Sequence, residues 1–560
     1  MAIFNKYLGF RGRSLTTAIT IVSGLTFVAF GYGQADIGGL ATVESFRAYF
    51  PQIDYVGTLN NPNRQVAIEQ GIVVATWNIG CFVAALIAIV VGDKLGRRGT
   101  LMLGITFLAI GKTIQAASFS YPQYIVGRFI AGFGNGFNTS TAPAWQAECT
   151  KAHRRGRMLM VSSGACIALG VALAYWIDFA LAWAQPSAVS WRFPIAGQII
   201  WILPCFFLLP HLPESPRWLI LKGRENEALD VLSALNDLHP SHQHVRAEFL
   251  QVKDAILQMA SGTPKDAFTM GDYRYLHRII LAVALQCMQQ FTGINLFVQY
   301  LGEMFVGQAN LTPWVARLLS ACASTEFLAV SFVSVIGIDR FWGRRTLTMF
   351  GSTGMCVTMI VLAIAKAIDN DPARIVVAVC MFVFVSFFAI GWQGVAWLWA
   401  VELIPLPVRG PANALATSAN WLSNFLVVLV APICFATIGW RTYVIFAATN
   451  LVTAPAIYLF YPETGCRSLE EVDVLFHVAS RTSHPWWNIR DVAVMEPLWY
   501  GKNGRKPFEY ERSEWHMRFA RLSSEEEGEE SAGSDSLGVE AEKGGAGGMD
   551  REGGPYTSSA

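Results

Sequence analysis

Long apolar runs alternate with short polar connections from residue 15 to residue 461 of this chain. The runs lie at 15–40, 71–92, 101–119, 122–147, 156–183, 191–212, 276–305, 312–338, 345–367, 373–403, 410–438 and 440–461. A helix crosses the bilayer core in roughly 20 residues, so the pattern predicts twelve membrane-spanning helices in an all-α integral membrane protein. Between the sixth and seventh runs the chain is polar, and its 223–259 part has the spacing of short amphipathic helices. The expected organisation is an N-terminal segment (1–14), a six-helix bundle (15–212), a linker (213–275), a second six-helix bundle (276–461), a C-terminal segment (462–519) and a tail (520–560) that turns acidic and then glycine-rich. Such a tail buries too little apolar surface to fold and reads as a solvated extension, with partner binding as the alternative.

Within the seventh run, Leu285–Tyr300 carries Gln286, Gln289, Gln290, Thr292, Asn295 and Gln299. Unpaired amides are costly in hydrocarbon, so these must face other helices or a wet cavity. On an ideal helix Gln286, Gln289, Gln290 and Gly293 share one face, and Asn295 and Gln299 the opposite one. A break at Thr292-Gly293-Ile294 brings both sets to one place, and glycine permits it. Amides both donate and accept, which suits a neutral polyhydroxylated ligand better than an ion; the plainer alternative is interhelical hydrogen bonding.

Basic residues set the orientation. Lys94, Arg97 and Arg98; Lys151, Arg154, Arg155 and Arg157; Arg340, Arg344 and Arg345; and Arg409 all fall in connections on the side of both termini. Opposite connections hold single bases such as Arg47, Arg64 and Arg317. The positive-inside bias therefore predicts cytoplasmic termini. The sequon Asn310-Leu311-Thr312 then lies outside, close to the membrane.

The two bundles repeat one another. Gly92-Asp93-Lys94-Leu95-Gly96-Arg97-Arg98 follows the second run, and Asp339-Arg340-Phe341-Trp342-Gly343-Arg344-Arg345 follows the eighth. Glu148 precedes Arg155-Gly156 at the spacing with which Glu402 precedes Arg409-Gly410. Pro213-Glu214-Ser215 ends the sixth run, and Pro462-Glu463-Thr464 the twelfth. This is a parallel duplication of six helices, an arrangement that transporters use. Asp93, Glu148, Glu214, Asp339, Glu402 and Glu463 are placed to pair with Arg97, Arg98, Arg155, Arg344, Arg345 and Arg409. These pairs are expected to latch the halves together on the cytoplasmic side and to part when that side opens. Topology anchoring explains the bases alone but not six carboxylates.

Of the 560 residues, 53% are hydrophobic and only 15% charged, against about 25% charged in soluble proteins. The net charge of +1 and the lack of a basic stripe or zinc spacing give no support to nucleic-acid binding. Ten cysteines, scattered singly and mostly in apolar runs, read as small buried hydrophobes and not as metal ligands. Neither a cofactor motif nor a nucleophile–base arrangement is present, so no enzyme, cofactor or metal is expected. The glycines of GFGNG read as helix packing. The first run holds Tyr32, Gln34 and Asp36 and reads as a retained helix, not a cleaved signal.

Several motifs resemble the sugar porter family of the major facilitator superfamily, in its fungal form. They are GDKLGRR at 92–98, GRFIAGFGNG at 127–136, PAWQAE at 143–148, PESPRWL at 213–219, QQFTGIN at 289–295, WLWAVE at 397–402, NWLSNF at 420–425 and PETGCRSLEE at 462–471. The resemblance implies the twelve-helix major facilitator fold in two halves, and alternating-access transport of a sugar, a hexose or another monosaccharide, coupled to protons. It implies that Gln289, Gln290 and Asn295 hydrogen-bond sugar hydroxyls, that Trp397 stacks under the ring, and that Asn420 supplies a further contact. Amides replace the water that a desolvated sugar loses, and indole faces suit its C–H surface.

The chain departs from the family pattern in places. Gly31-Tyr32-Gly33-Gln34-Ala35-Asp36 has Gly33 where the family has an Asp linked to proton coupling, and Asp36 stands three residues on. Asp36 either substitutes for it or sits at the outer mouth of a facilitator. Ser163 stands near the usual fifth-span Gln, Gly394-Val395-Ala396 lacks the usual prolines, and Gln299-Tyr300 replaces a tandem Tyr. Two further intramembrane acids, Asp178 and Glu326, join Asp36 as proton-coupling candidates, each with an ion pair or an exposed position as the alternative. The expected partners are a sugar, a proton and the lipid bilayer of the plasma membrane, around a monomer. The rivals are a facilitative uniporter, a sugar sensor signalling through its tail, and a carrier of disaccharides, polyols or quinate-like acids.

Overall fold

The computed structural model describes residues 7–54, 57, 64–260, 269–271, 273–405, 408–499 and 501; the predicted tail lies outside them. The twelve expected spans are all present as helix. The first is Gly12–Leu40; the second and third form one run, Arg64–Ala116, turned at Gly96 where the backbone leaves helical geometry. The fourth is Tyr121–Glu148, the fifth runs from Ala152 to Leu181 through a π-helical turn at Met160–Ala165, and the sixth is Val189–Leu208. The seventh comes in three pieces, Tyr275–Phe291, Ile294–Gln299 and Leu301–Gly307. The eighth and ninth are Pro313–Gly337 and Arg344–Ile368. The tenth is split into Asp371–Gly391 and Val395–Leu403, and Arg409–Ile438 and Arg441–Phe460 complete the set.

Among the described residues, nine helical stretches are long and apolar enough to span a membrane by length and composition. The seventh span falls short of that measure because it is broken into pieces of 17, 6 and 7 residues, and the fourth, Tyr121–Glu148, is also outside the set. Outward faces hold exposed large apolar side chains such as Phe207, Ile375, Leu451 and Val452. A soluble protein rarely exposes so much contiguous apolar surface; here lipid covers it.

The linker folds as Pro216–Leu221, Glu225–Asn236 and Gln243–Ala260, as its amphipathic pattern predicts. Ser215 caps the first of these by accepting from the Trp218 N–H at 3.2 Å. The C-terminal segment contributes Leu469–Ser480, opened by a capping box of Ser468 and Glu471, and Pro485–Met495.

The duplication holds atom by atom at the end that carries the arginine motifs. Glu214 accepts from the backbone N–H groups of Arg97 and Arg98 at 3.0 and 3.1 Å; Glu463 accepts from those of Arg344 and Arg345 at 3.1 and 3.2 Å. Each carboxylate thereby satisfies free donors at a helix start. Arg97 pairs with Glu148 at 3.4 Å and Arg344 with Glu402 at 2.9 Å. Ser215 donates to Glu148 at 2.5 Å, as Thr464 does to Glu402 at 2.7 Å. Asp93 and Asp339 complete the two clusters through Arg97 and Arg344.

Candidate functional site

The seventh-span amides are brought to one place by the predicted break. Gly293 has φ +90°, a value open to glycine, and ends one helix where Ile294 begins the next. Asn295 therefore turns back to Gln290 and donates to its Oε1 at 2.5 Å. Gln289 donates to the Trp392 carbonyl at 3.2 Å, at the split in the tenth span, where that carbonyl also accepts from the Ala396 N–H at 3.3 Å. Asn420 of the eleventh span donates to Gln289 Oε1 at 3.0 Å and to Gln286 Oε1 at 2.7 Å.

These residues bound a small central cavity between the two halves. Gln289, Gln290, Asn295 and Trp397 line it; Asn420 stands behind Gln289 and positions it. Trp397 packs edge-on against Phe27 and Phe30, with ring centroids 6.0 and 6.3 Å away. On the fifth span, Ser163 is buried and its hydroxyl bonds its own helix at Leu159, so Ile167 and Val171 make an apolar wall there. None of the lining residues is charged.

Contacts between the halves close the cavity at both ends. Toward the end opposite the arginine motifs, Gln34 donates to Asn295 at 2.6 Å, Tyr175 to the Val298 carbonyl at 2.8 Å, and Gln70 to Glu303. Toward the motif end, Trp421 donates to Thr139 at 3.1 Å and Asn413 to the Ser140 carbonyl at 2.6 Å. The expected latch residues gather at that end, but their ion pairs close within each half. Among the described residues the ion pair that joins the halves is Arg217–Glu470, at 2.9 Å, supported by Arg217 donating to the Glu148 carbonyl at 2.6 Å and Arg155 to the Arg467 carbonyl at 3.4 Å. Arg409 is fully buried and donates to the Ile404 carbonyl at 3.1 Å. Burial raises the Glu470 carboxyl, and Arg217 outweighs that and holds it down at about 2. Arg217 and Glu470 both lie in motifs quoted above, but a list of acids and bases does not say which of them meet.

The three candidate acids have different surroundings. Asp36 is fully buried and ion-paired to Lys112 of the third span at 2.5 Å and to Arg128 of the fourth at 3.4 Å. Lys112 and Arg128 also lie over the Trp77 ring, at 5.5 and 5.9 Å from its centroid. Asp178 is buried against Gly39 with neither carboxylate oxygen bonded among the described residues, which removes both the ion pair and the exposed position as alternatives for it. Glu326 is half-buried and accepts from Ser386 of the tenth span.

Gly33 is filled by its neighbours. A Cβ there would stand 2.5 Å from Trp77 and 2.6 Å from the Gln198 amide. Gly33→Asp is accordingly expected to destabilise the protein by about 1–3 kcal/mol or more through overpacking, read as a lowered melting temperature in detergent. An unchanged melting temperature would mean that Trp77 and Gln198 yield without cost.

A two-fold repeat of six helices around a closed, uncharged, amide-lined cavity defines a secondary transporter of the major facilitator type. Comparison with known proteins agrees. Residues 17–476 match the family model described as "Sugar (and other) transporter", and the chain belongs to that family. The chain is 34% identical over 488 residues to the sugar transporter STL1 of Saccharomyces cerevisiae, covering 86% of this chain and 85% of that one. Its fold matches that of the proton:xylose symporter XylE bound to 6-bromo-6-deoxy-D-glucose, with TM-score 0.72, 26% identity and coverage of 82% and 99%. It matches the inward-open conformation of XylE from E. coli less well, at TM-score 0.62, 25% identity and coverage of 82% and 99%, in line with the closed motif end here.

Proposed function

We propose that this protein carries a neutral sugar of monosaccharide size across the plasma membrane by alternating access, driven by protons, with both termini in the cytoplasm. The observation that carries this reading is the cavity itself. It lies between the two repeats, is lined by amides and one indole with no charge, and is held shut by separable contacts at each end. Amides and an aromatic face match hydroxyls and C–H surfaces, and the absence of a lining cation disfavours acidic sugars. The STL1 and XylE likenesses support the substrate class and the proton.

The first span links the two ligands. Gln34 bonds Asn295 in the cavity, and Asp36, two residues on, holds Lys112 and Arg128. A proton on Asp36 removes the charge that those cations hold, which loosens the first span from the third and fourth and lets Gln34 move relative to the sugar site. The Arg217–Glu470 pair serves as the cytoplasmic lock.

Counterflow of labelled sugars by the purified protein in liposomes, with and without a proton gradient, tests this reading. Counterflow is expected for one sugar class, with accumulation only under the gradient. Counterflow indifferent to protons would leave a facilitator; binding without counterflow would leave a sensor. For the site, Trp397→Ala and Gln289→Ala are each expected to weaken binding about tenfold, the loss of one stacking surface or hydrogen bond. Unchanged affinity in both would sink the site.

A further inference from the structure

Two polar side chains lining the central cavity, Gln34 and Gln393, lie outside the motif amides. Gln393 sits at the split in the tenth span, after Trp392, whose carbonyl accepts from Gln289 at 3.2 Å. It is 6% exposed and lines the cavity. Its backbone N–H donates to the Phe388 carbonyl at 3.0 Å, while its side-chain amide makes no hydrogen bond among the described residues. The motif amides differ in this respect: Gln289, Gln290 and Asn295 are bonded to one another or to neighbouring carbonyls. An amide has two donors and two acceptor sites, and with no protein partner those of Gln393 are free to serve a molecule in the cavity that it lines.

The opposite wall carries a counterpart. Of the lining residues from the N-terminal half, Gln34 is the polar one, beside Phe30, Ile167 and Val171. Its amide donates to Asn295 Oδ1, which also accepts from Gln299 at 3.1 Å. The closed cavity thus has its acceptor on the seventh span already occupied, and its unspent hydrogen-bonding capacity on Gln393.

We propose that Gln393 is a direct hydrogen-bond partner of the transported molecule and sets which hydroxyl pattern is accepted, with Gln34 as the polar contact from the other half. The inference rests on the central cavity being the transport site. The ligand is a neutral polyol, because the walls carry amides and no charge. A site that spends a buried amide on one hydroxyl discriminates strongly against the analogue that lacks it.

The test uses the full-length purified protein and equilibrium binding of the monosaccharide with the strongest counterflow, together with its single-deoxy analogues. Wild type is compared with Gln393→Met, which keeps the shape, and Gln393→Asn, which keeps the amide. Gln393 bonds nothing through its side chain, so both variants are expected to melt like wild type. Gln393→Met is expected to bind the parent sugar about tenfold more weakly and to show no such loss for one deoxy analogue, the one missing the hydroxyl that Gln393 contacts. Gln393→Asn falls between. Wild-type affinity of Gln393→Met for the parent and all analogues overturns the proposal. So does an equal loss across every analogue, which would mark a structural role. Failure of the underlying reading looks different: wild type itself then binds no member of the panel, and the inference falls with it.

Discussion

Asp36→Asn is expected to abolish proton-driven accumulation while leaving sugar counterflow measurable. Asp36, Lys112 and Arg128 are 0%, 1% and 2% exposed, and ionisable groups so deep in a membrane protein are retained for function. The carboxamide of the variant has no proton to exchange, so the gradient would have nothing to act on. The substitution would also leave two buried cations without their carboxylate partner, and removing one partner of a buried pair costs about 3–5 kcal/mol. Lost activity could then reflect lost folding. The double variant Asp36→Asn/Lys112→Met separates the two: it removes one charge of each sign, so it should recover much of the melting temperature yet stay uncoupled. Wild-type accumulation by Asp36→Asn would move the coupling role to Asp178 or Glu326.

The physics of this cluster explains what sequence could and could not supply. Spans, duplication and the break at Gly293 are local properties: apolar length, motif spacing and a residue with no Cβ. They were legible for that reason, and so was the convergence of Gln290 and Asn295. Pairing is not local. Asp36 could be named as a candidate, but its partners come from two other spans, and Lys112 hides in a run apolar enough to pass as lipid-facing. An intramembrane lysine is itself a signal, and that signal was available in Gly111-Lys112-Thr113. Gly33 read only as a missing acid; the reason for its absence is the volume taken by Trp77 and Gln198, which no spacing reveals. Asn420 was legible as polar but not as lying behind Gln289. Gln393 sits among aromatic residues outside the motif WLWAVE, so only the shape of the cavity brings it forward.

Removing one partner of the Arg217–Glu470 pair is expected to shift the protein toward the state open at the end that carries the arginine motifs. The two side chains are only 9% and 11% exposed in the closed state. Opening hydrates both, so the pair favours closure only while both members are present. In Glu470→Gln the guanidinium stays buried without its carboxylate, and a loss of even about 3 kcal/mol changes the closed-to-open ratio by roughly 100-fold. Arg217→Gln/Glu470→Gln should cost much less than the sum of the single variants, because no charge is stranded; couplings of about 0.5–3 kcal/mol are usual for such contacts. Hydrogen exchange over Pro216–Leu221 and Leu469–Ser480 reads the shift, and additive effects in the double variant would remove the lock from Arg217 and Glu470. The pH dependence follows from the low carboxyl value. Glu470 is held at about 2 against roughly 4.3 when free, so the pair's contribution is fully present above the free value and is lost only as pH falls through about 2. Protection from exchange in these helices, taken relative to the intrinsic rate at each pH, should therefore stay flat from about pH 8 to pH 5; a fall in protection over that range would show that another group controls the lock.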